Sequence, residues 1–244
     1  MLLSSATPQR LYLMQLGTST IPTTPQPTAG SAGCYLVQTS DGKNILIDSG
    51  LPADYTPPPG TPPTENEKNV LEHLADLGLR PDEIDLLICT HFYVDHAGYH
   101  DAFPMAELIV QREHYELARS GHPRYASSRM HWDDPALRYR LIEGDTELLP
   151  GPKLIETSGH APGHQSVLVY LPQTGKVLLA IDAVVLQRLF TPDRKAWPFE
   201  NEEQLRASTR KLLDLVEREH VALVIFGHDG LQWQMLKKAP AYYT

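Results

Sequence analysis

Two histidines and an aspartate lie close together in residues 90–98, immediately after an apolar run at 84–89. His91, Asp95 and His96 could supply neutral nitrogen and anionic oxygen ligands to a divalent metal ion. The apolar run predicts a buried strand, and a rigid strand can hold such a loop in place. On this stretch alone, a metal site and a simple helix cap near Ala97 are equal alternatives.

Three further apolar runs end in side chains that could bind or support a metal ion. The runs are 153–157, 177–181 and 221–226, and they are followed by His160 and His164, by Asp182 and by His228. Each taken alone has an ordinary explanation as a turn or a helix cap. Strand ends can converge on one cleft, however, so the repetition predicts a shared metal site.

The elements that must position these residues follow from hydrophobic periodicity and turn residues. Strands are expected at 11–16, 34–39, 44–48, 84–89, 107–110, 141–149, 153–157, 166–171, 176–181 and 221–226, and helices at 66–79, 111–119 and 202–219. Loops are expected at 19–33 and at the proline-rich 57–63. Residues 120–138 are irregular and aromatic, which fits either a segment covering the substrate or a plain surface excursion. The order predicts two mixed sheets face to face, with helices outside, in one domain covering residues 1–244.

Composition excludes several classes of function. The chain has 244 residues, of which 41% are hydrophobic, and a formal net charge of −9, which argues against a nucleic-acid or anionic-membrane partner. Residues 1–10 lack the pattern of a signal peptide, and no stretch approaches the ~20 apolar residues of a membrane span. Cys34 and Cys89 fit small buried side chains in a reducing compartment, so a cytoplasmic protein is expected.

The combined pattern resembles the metallo-β-lactamase superfamily, whose motif is His-x-His-x-Asp-His followed by His, Asp and His. The matching residues here are His91, Tyr93, Asp95, His96, His160, Asp182 and His228. The flanking Asp48-Ser49-Gly50 also matches. The segments Gly159-His-Ala-Pro-Gly-His-Gln-Ser166, Ile181-Asp-Ala183 and Phe226-Gly-His-Asp229 look most like the N-acyl homoserine lactonase group. The resemblance covers residues 34 to 229, nearly the whole chain.

The resemblance implies an α+β fold, an αββα sandwich, with one or two metal ions at the upper edges of the sheets. Zinc is expected, and manganese or iron would also suit the ligands. By resemblance, His91 and His160 would bind the first metal, Asp95, His96 and His228 the second, and Asp182 would bridge the two. Asp48 and His164 would orient ligands, and for His164 the alternative is that it only closes a turn. A hydroxide between the metals would be the nucleophile, because metal binding lowers the pKa of water to about 7.

Tyr93 departs from the pattern, because the family has its second histidine there. Three roles remain open for Tyr93. It could bind metal as a phenolate, it could leave the first metal weak or absent, or its hydroxyl could donate a hydrogen bond to the substrate oxyanion. A further departure is Val185, which stands where the lactonase group has a tyrosine thought to contact the substrate carbonyl. Tyr93 could take over that role.

The resulting prediction is a metal-dependent hydrolase that opens a cyclic ester, with Asp95 and Tyr93 as the catalytic side chains. Asp95 would pass the proton to the leaving group. The alternatives are a hydrolase of lactams or cyclic carbamates, a thioester hydrolase of the glyoxalase II type, and a binding protein that lost catalysis through Tyr93. The expected partners are a small molecule with a cyclic ester or amide and, as an open alternative, a second copy in a homodimer.

Overall fold

The computed structural model describes residues 6–23, 26–53, 55–56, 64–148 and 152–244. The first layer is a seven-stranded mixed sheet. Its strands are β1 (Pro8–Ile21), β2 (Thr28–Thr39), β3 (Asn44–Ile47), β4 (Thr64–Asn66), β5 (Leu86–Ile88), β6 (Glu107–Gln111) and β7 (Arg138–Ile142). The spatial order is β4-β1-β2-β3-β5-β6-β7. Pairing is antiparallel among β4, β1, β2 and β3, and parallel from β3 through β5 and β6 to β7.

The second layer is a five-stranded sheet with the order β12-β11-β10-β9-β8. Its strands are β8 (Thr146–Glu147), β9 (Lys153–Glu156), β10 (Gln165–Leu171), β11 (Gly175–Ile181) and β12 (Leu223–Phe226). The pairing of β11 with β12 is parallel, and the other pairs are antiparallel. The helices are α1 (Val70–Asp76), α2 (Arg112–Arg119), α3 (Arg129–Trp132), α4 (Glu202–Arg218) and α5 (Gly230–Met235).

Alternation along the strands divides the buried side chains into three packed layers. Leu11 and Leu13 of β1 face Val167 and Val169 of β10 in the core between the sheets. The outer face of the first sheet packs on α1 and α2, and the outer face of the second packs on α4. The outer layers include Met14, Leu36, Val70, Leu74 and Ala118 on one side and Leu168, Leu178, Leu212 and Leu215 on the other. This is the predicted αββα sandwich.

The parallel strand pairs bring the predicted site residues to one edge. Asp48 follows β3 and His91 follows shortly after its neighbour β5, while Asp182 follows β11 and His228 follows shortly after its neighbour β12. The backbone joins the first two loops, since Ser49 N–H donates to the His96 carbonyl at 2.7 Å. None of the helices in the described ranges is long and apolar enough to cross a bilayer.

The largest error of the sequence prediction is the loop at 19–33. The structure continues β1 to Ile21 and begins β2 at Thr28, with Thr18 opposite Ser31 in an antiparallel ladder. The segment is rich in Thr, Ser and Gly and lacks an apolar pattern. Backbone pairing with flanking strands forms the sheet regardless, because strand preference depends on context more than on composition.

Smaller corrections concern element ends. The helix expected at 66–79 begins only at Val70, because Asn69 caps it: the Asn69 side chain accepts the Glu72 N–H, and Glu72 accepts the Asn69 N–H. The strand expected at 141–149 is split at Gly144, which has a φ of 67°. Residues 57–63 and 149 lie outside the described residues, as do residues 1–5 of the N-terminal segment.

Candidate metal centre

Six of the predicted ligands lie together at the upper edge of the two sheets. They form two clusters in which the candidate ligand atoms are within 4.8 Å of one another. The first cluster is His91, His160 and Asp182, and the second cluster is Asp95, His96 and His228. The division agrees with the sets of residues that the resemblance implied for each metal.

Asp182 lies between the two clusters. Its Oδ2 atom is 3.2 Å from His160 Nε2 in the first cluster and 3.6 Å from His96 Nε2 in the second. Its Oδ1 atom is 3.0 Å from His228 Nε2. The carboxylate therefore lies against histidines of both clusters, a position that suits the bridging role.

Asp48 fixes the orientation of two histidines. His96 Nδ1 lies 2.8 Å from Asp48 Oδ2, and an ionised carboxylate can only accept, so Nδ1 carries the proton. The Thr90 hydroxyl donates to the same Oδ2 at 2.7 Å, so its lone pair faces His91 Nδ1 at 3.1 Å. With the proton held on Nδ1, each imidazole has Nε2 as the atom available to bind a metal.

Glu200 and a backbone carbonyl do the same for the other two histidines. His160 Nδ1 lies 3.0 Å from Glu200 Oε1, and His228 Nδ1 lies 2.9 Å from the Ser31 carbonyl oxygen. The sequence prediction missed Glu200, because it lies 40 residues after His160 and no motif includes it. It also missed Thr90 as a support, although Thr90 directly precedes His91.

The arrangement fits a metal ion on chemical grounds. The Nε2 atoms of His91, His96 and His160 are buried and have no hydrogen-bond partner. Leaving such atoms unpartnered is costly, and four imidazole nitrogens with two carboxylates form a typical ligand set for zinc or a similar cation. These residues would therefore hold metal through Nε2, with Asp182 and Asp95 supplying oxygen.

Electrostatics at the centre favour an anionic Asp182. Burial alone raises the pKa of Asp182, but His228, His96 and His160 surround its carboxylate and hold the pKa well below the ordinary value. Burial alone lowers the pKa of His228, whereas Asp182 and Asp95 raise it to about 9. The buried negative charge of Asp182 is thus matched by the positive charge of His228, a role that a dication would take over.

The local backbone makes room for the Asp182 carboxylate. Ile181 has a φ of 51°, a left-handed conformation that is costly for a β-branched residue and that turns the chain sharply after β11. Gly227 packs directly against this turn. A Cβ atom at Gly227 would be 2.5 Å from Asp182 Oδ1 and 2.7 Å from the Ile181 carbonyl oxygen. Only glycine fits at this approach.

Tyr93 directs its hydroxyl to backbone. The hydroxyl donates to the carbonyl oxygen of His160 at 3.2 Å, and the ring stacks on Tyr125 at 5.6 Å between centroids. The Arg124 guanidinium lies 4.4 Å from the centroid of the Tyr93 ring. Burial raises the pKa of Tyr93 well above its ordinary value, which disfavours a phenolate.

Residues 120–138 are partly core. Trp132 is buried and stacks on Phe92 with centroids 4.7 Å apart, and Tyr125 is also buried. Arg124 points the other way, and its guanidinium lies 4.1 Å from the ring centroid of the half-exposed Phe199. The segment therefore supports the metal loops from behind and contributes Arg124 to the rim.

His164 and Val185 are both buried. His164 Nδ1 lies 2.9 Å from the Thr157 hydroxyl, and the His164 ring centroid lies 5.1 Å from that of His91. The His164 carbonyl also accepts the Thr157 N–H at 2.7 Å, so the residue does close the turn between β9 and β10. The Val185 carbonyl accepts the His228 N–H at 2.9 Å.

An αββα sandwich with this ligand set at its edge defines a class of metal-dependent hydrolases. The chain belongs to the Metallo-beta-lactamase superfamily, whose family profile matches residues 27–228. The predicted family, fold and hydrolase class are confirmed.

Within this superfamily, the chain is similar to N-acyl homoserine lactonases. The chain is 34% identical over 220 residues to the N-acyl homoserine lactonase AiiA of Bacillus thuringiensis subsp. kurstaki, covering 86% of this chain and 85% of that protein. It is 34% identical over 202 residues to the N-acyl homoserine lactonase AttM of Azorhizobium caulinodans, covering 75% and 72%. The predicted resemblance to this lactonase group is confirmed.

Solved structures agree with the curated relatives. An N-acyl homoserine lactone hydrolase with the product N-hexanoyl-L-homoserine bound at the catalytic metal centre superposes with a TM-score of 0.86 at 30% identity, covering 97% of this chain and 100% of that one. The dizinc quorum-quenching lactonase AidC superposes with a TM-score of 0.72 at 15% identity, which shows the common fold. The curated lactonases and the N-acyl homoserine lactone hydrolase, at 30% identity or more, confirm the predicted lactone-opening hydrolase.

Proposed function

We propose that this enzyme hydrolyses N-acyl homoserine lactones, with the six residues of the two clusters as metal ligands. The observation that carries the proposal is the pair of clusters joined by Asp182, with unpartnered Nε2 atoms aimed inward. The similarity to lactonases over most of the chain supports the substrate class. Zinc is the proposed ion, because imidazole and carboxylate ligands in this number suit it.

The metal ions, when bound, supply hydroxide at neutral pH and polarise the lactone carbonyl. The residues of the chain do the rest. Asp95 has the most exposed side chain of the six, at 33%, and its Oδ2 is 3.6 Å from His228 Nε2 and 3.7 Å from His96 Nε2. We therefore assign Asp95 the proton transfer: it accepts the proton released when the carbonyl is attacked and returns it to the alcohol oxygen as the ring C–O bond breaks.

Tyr93 is proposed as a residue that does not bind metal. Its hydroxyl is used by the His160 carbonyl, and its ring is held between Tyr125 and Arg124. The first cluster then offers two imidazoles and the bridging carboxylate, which leaves coordination positions open, as in catalytic zinc sites. The alternative of a binding protein rested on a loss of catalysis through Tyr93. Tyr93 packs within the site without blocking it, so this reason no longer holds.

The compartment is part of the proposal. Cys34 and Cys89 are both buried and unpaired, which suits the reducing cytoplasm that the sequence predicted. A homodimer and a single domain stay predictions.

The test combines metal content with ring opening. Freshly purified protein is analysed for metal per chain, and then assayed with short-, medium- and long-chain N-acyl homoserine lactones by proton release and by the mass gain of one water. Matched lactams, cyclic carbamates and thioesters are assayed alongside, and Asp182→Asn is the inactive control. We expect two metal ions, ring opening of the acyl homoserine lactones, and much slower reaction of the other classes.

Two outcomes would overturn the proposal. If the protein carries metal but opens a lactam or carbamate faster than any lactone, the site acts on that alternative class of substrate. The alternative is considered because Val185 stands where the lactonase group has a tyrosine. Protein that binds no metal in any preparation would contradict the ligand assignment itself.

A further inference from the structure

His160 is held at both of its ends by residues from different parts of the chain. Its Nδ1 atom lies 3.0 Å from Glu200 Oε1, and its backbone carbonyl accepts the Tyr93 hydroxyl at 3.2 Å. The Glu200 side chain is fully buried. A buried carboxylate against the rear nitrogen of a metal-binding imidazole fixes the ring and raises its basicity as a ligand.

Hydrogen bonds with backbone groups hold Glu200 in position. Its other oxygen, Oε2, accepts the N–H of Trp197 at 2.8 Å, so both carboxylate oxygens have partners. The next residue, Asn201, donates its N–H to the Gly159 carbonyl at 2.9 Å and caps α4 with its side chain. Gly159 permits this approach, because a Cβ there would lie 2.4 Å from the backbone nitrogen of Leu205. The start of α4 is thereby fixed against the loop that carries His160.

Each cluster thus has one buried carboxylate in direct contact with one of its histidines. Asp48 supports His96 in the second cluster, and Glu200 supports His160 in the first. The two clusters differ in their ligands, however, because the first cluster has Tyr93 where the superfamily motif has a histidine. Losing an imidazole weakens a metal site, and an added negative charge next to a remaining ligand strengthens it.

We propose that Glu200 is the positioning residue of the first cluster and compensates there for the imidazole that Tyr93 replaces. The proposal rests on the metal sites of the proposed function, and it adds a residue that the motif does not contain. Arg124 joins the two supports of His160, because it lies over the Tyr93 ring and donates to the Phe199 carbonyl at 3.1 Å, next to Glu200. Tyr93, Arg124 and Glu200 therefore form one assembly around His160.

The test measures metal binding without substrate. Metal-free protein is titrated with Co²⁺, whose visible absorption reports the binding and the ligand geometry of each ion, and affinities are confirmed by competition with Zn²⁺. The variant is Glu200→Gln, which removes the charge and turns an amide N–H₂ toward either His160 Nδ1–H or the Trp197 N–H. The matched control is Glu202→Gln: Glu202 lies two residues away, accepts the Ala196 N–H and pairs with Arg206, and contacts no ligand.

We expect Glu200→Gln to weaken one of the two Co²⁺ ions about 10- to 100-fold and to change its absorption, while the other ion is unaffected. Asp48→Asn should weaken mainly the opposite ion, because its direct contact is with His96, and Glu202→Gln should weaken neither. Adding Tyr93→His to Glu200→Gln should restore much of the lost affinity, because it returns an imidazole to the same cluster. The thermal midpoint of each metal-free variant separates a loss of fold from a loss of metal.

Three results would overturn the proposal. Affinities for both ions within about threefold of the parent protein would show that Glu200 is not needed. If Glu200→Gln and Asp48→Asn both weaken chiefly the same ion, Glu200 does not support the first cluster. If Glu200→Gln unfolds, Glu200→Asp takes its place, and an intact fold with unchanged affinity for both ions would likewise show that the position of the Glu200 carboxylate is not needed. None of these readouts uses a lactone, so failure of the proposed substrate would leave them unaffected.

Discussion

His114 accepts the backbone N–H of Phe92 at its Nε2 atom, over a distance of 2.8 Å. Its Nδ1 atom lies 2.7 Å from the carbonyl oxygen of Pro162. One fully buried imidazole of α2 therefore joins the loop of His91 to the loop of His160. A neutral ring with the proton on Nδ1 satisfies both bonds.

Replacing His114 should loosen the metal centre without touching a ligand. His114→Phe keeps a buried ring but leaves the Phe92 N–H and the Pro162 carbonyl without a partner, at a cost of about 3 kcal/mol in the free energy of unfolding. We expect weaker metal binding together with a lower kcat/KM. Metal titration and urea unfolding measure the two effects.

Two comparisons make the His114 result interpretable. His114→Gln can present an acceptor and a donor with similar spacing, so it should recover part of the metal affinity. His73→Phe removes one imidazole bond, to the Gln15 carbonyl at 2.8 Å, far from the clusters. Equal loss of metal in His73→Phe and His114→Phe would show that general destabilisation is responsible.

His114 should also make stability depend on pH. Burial lowers its pKa in the folded protein to about 4, from 6.5 when unfolded. Between these values the unfolded chain binds a proton that the folded chain does not, so the free energy of unfolding falls as pH drops from about 6.5 to about 4. The difference corresponds to about 3 kcal/mol. Urea unfolding of metal-free protein between these pH values measures it.

His114→Gln should reduce this pH dependence. The slope should not vanish, because burial lowers the pKa of His100 to about 3 and that residue acts in the same direction. An unchanged slope in His114→Gln would mean that the His114 ring is protonated or solvated in the folded protein, contrary to its two backbone bonds.

The sequence predicted the ligands better than their supports. His91, Asp95 and His96 are adjacent in the chain and follow one strand, and the other three ligands each follow an apolar strand. Their convergence needs two sheets packed face to face, with the ends of β5, β9, β11 and β12 at a common edge. The local pattern predicts a shared metal site, whereas the division of the ligands between two metal ions came from the resemblance to the metallo-β-lactamase superfamily.

Glu200 and His114, two supports that the sequence prediction missed, depend on contacts between distant segments, which no local pattern reveals. Glu200 reaches His160 only because the start of α4 is bound to Gly159, and His114 acts through its position on α2. The same limit explains the wrong loop at 19–33. Thr18 and Ser31 form a strand pair because their neighbours in the sheet satisfy the backbone, not because of their own preference.

Replacing the Asp48 carboxylate with an amide, in Asp48→Asn, should weaken metal binding. The Asp48 carboxylate accepts three donors, the Thr90 N–H at 2.8 Å, the Thr90 hydroxyl and His96 Nδ1–H. In Asp48→Asn, either orientation of the amide places N–H₂ against one of these donors. We expect a loss of metal affinity of about 10- to 100-fold, mainly at the second cluster. Equilibrium dialysis with Zn²⁺ checks this, and affinity equal to that of the parent protein would contradict the role.

Gly227→Ala should displace Asp182 and so weaken both metal ions together. The added Cβ would lie 2.5 Å from Asp182 Oδ1, against a rigid turn that cannot move aside. Gly78→Ala is the control, because its φ of 74° strains the backbone while nothing lies within 4 Å of the new atom. Metal content and thermal midpoint are measured for both. A stability loss in both with metal lost in neither would refute the steric argument.

Tyr93→Phe separates the three roles that the sequence left open. It removes only the hydroxyl, and the ring contacts to Tyr125 and Arg124 remain. Since that hydroxyl donates to the His160 carbonyl, we expect unchanged metal content and a fall in kcat/KM of about fivefold, the worth of one neutral hydrogen bond of about 1 kcal/mol. Tyr139→Phe is the control, because its hydroxyl donates to the Trp132 carbonyl at 2.7 Å, away from the ligands.

The other two roles give different results with the same variant. A phenolate ligand would make Tyr93→Phe lose one metal ion, while Tyr139→Phe keeps both. A donor to the substrate oxyanion would lower kcat by about 10²- to 10³-fold with both metals in place. The direction of the hydroxyl toward backbone and the raised pKa of Tyr93 both favour the small effect, because a neutral phenol already bonded to a carbonyl has no proton to offer a substrate and no charge to offer a metal.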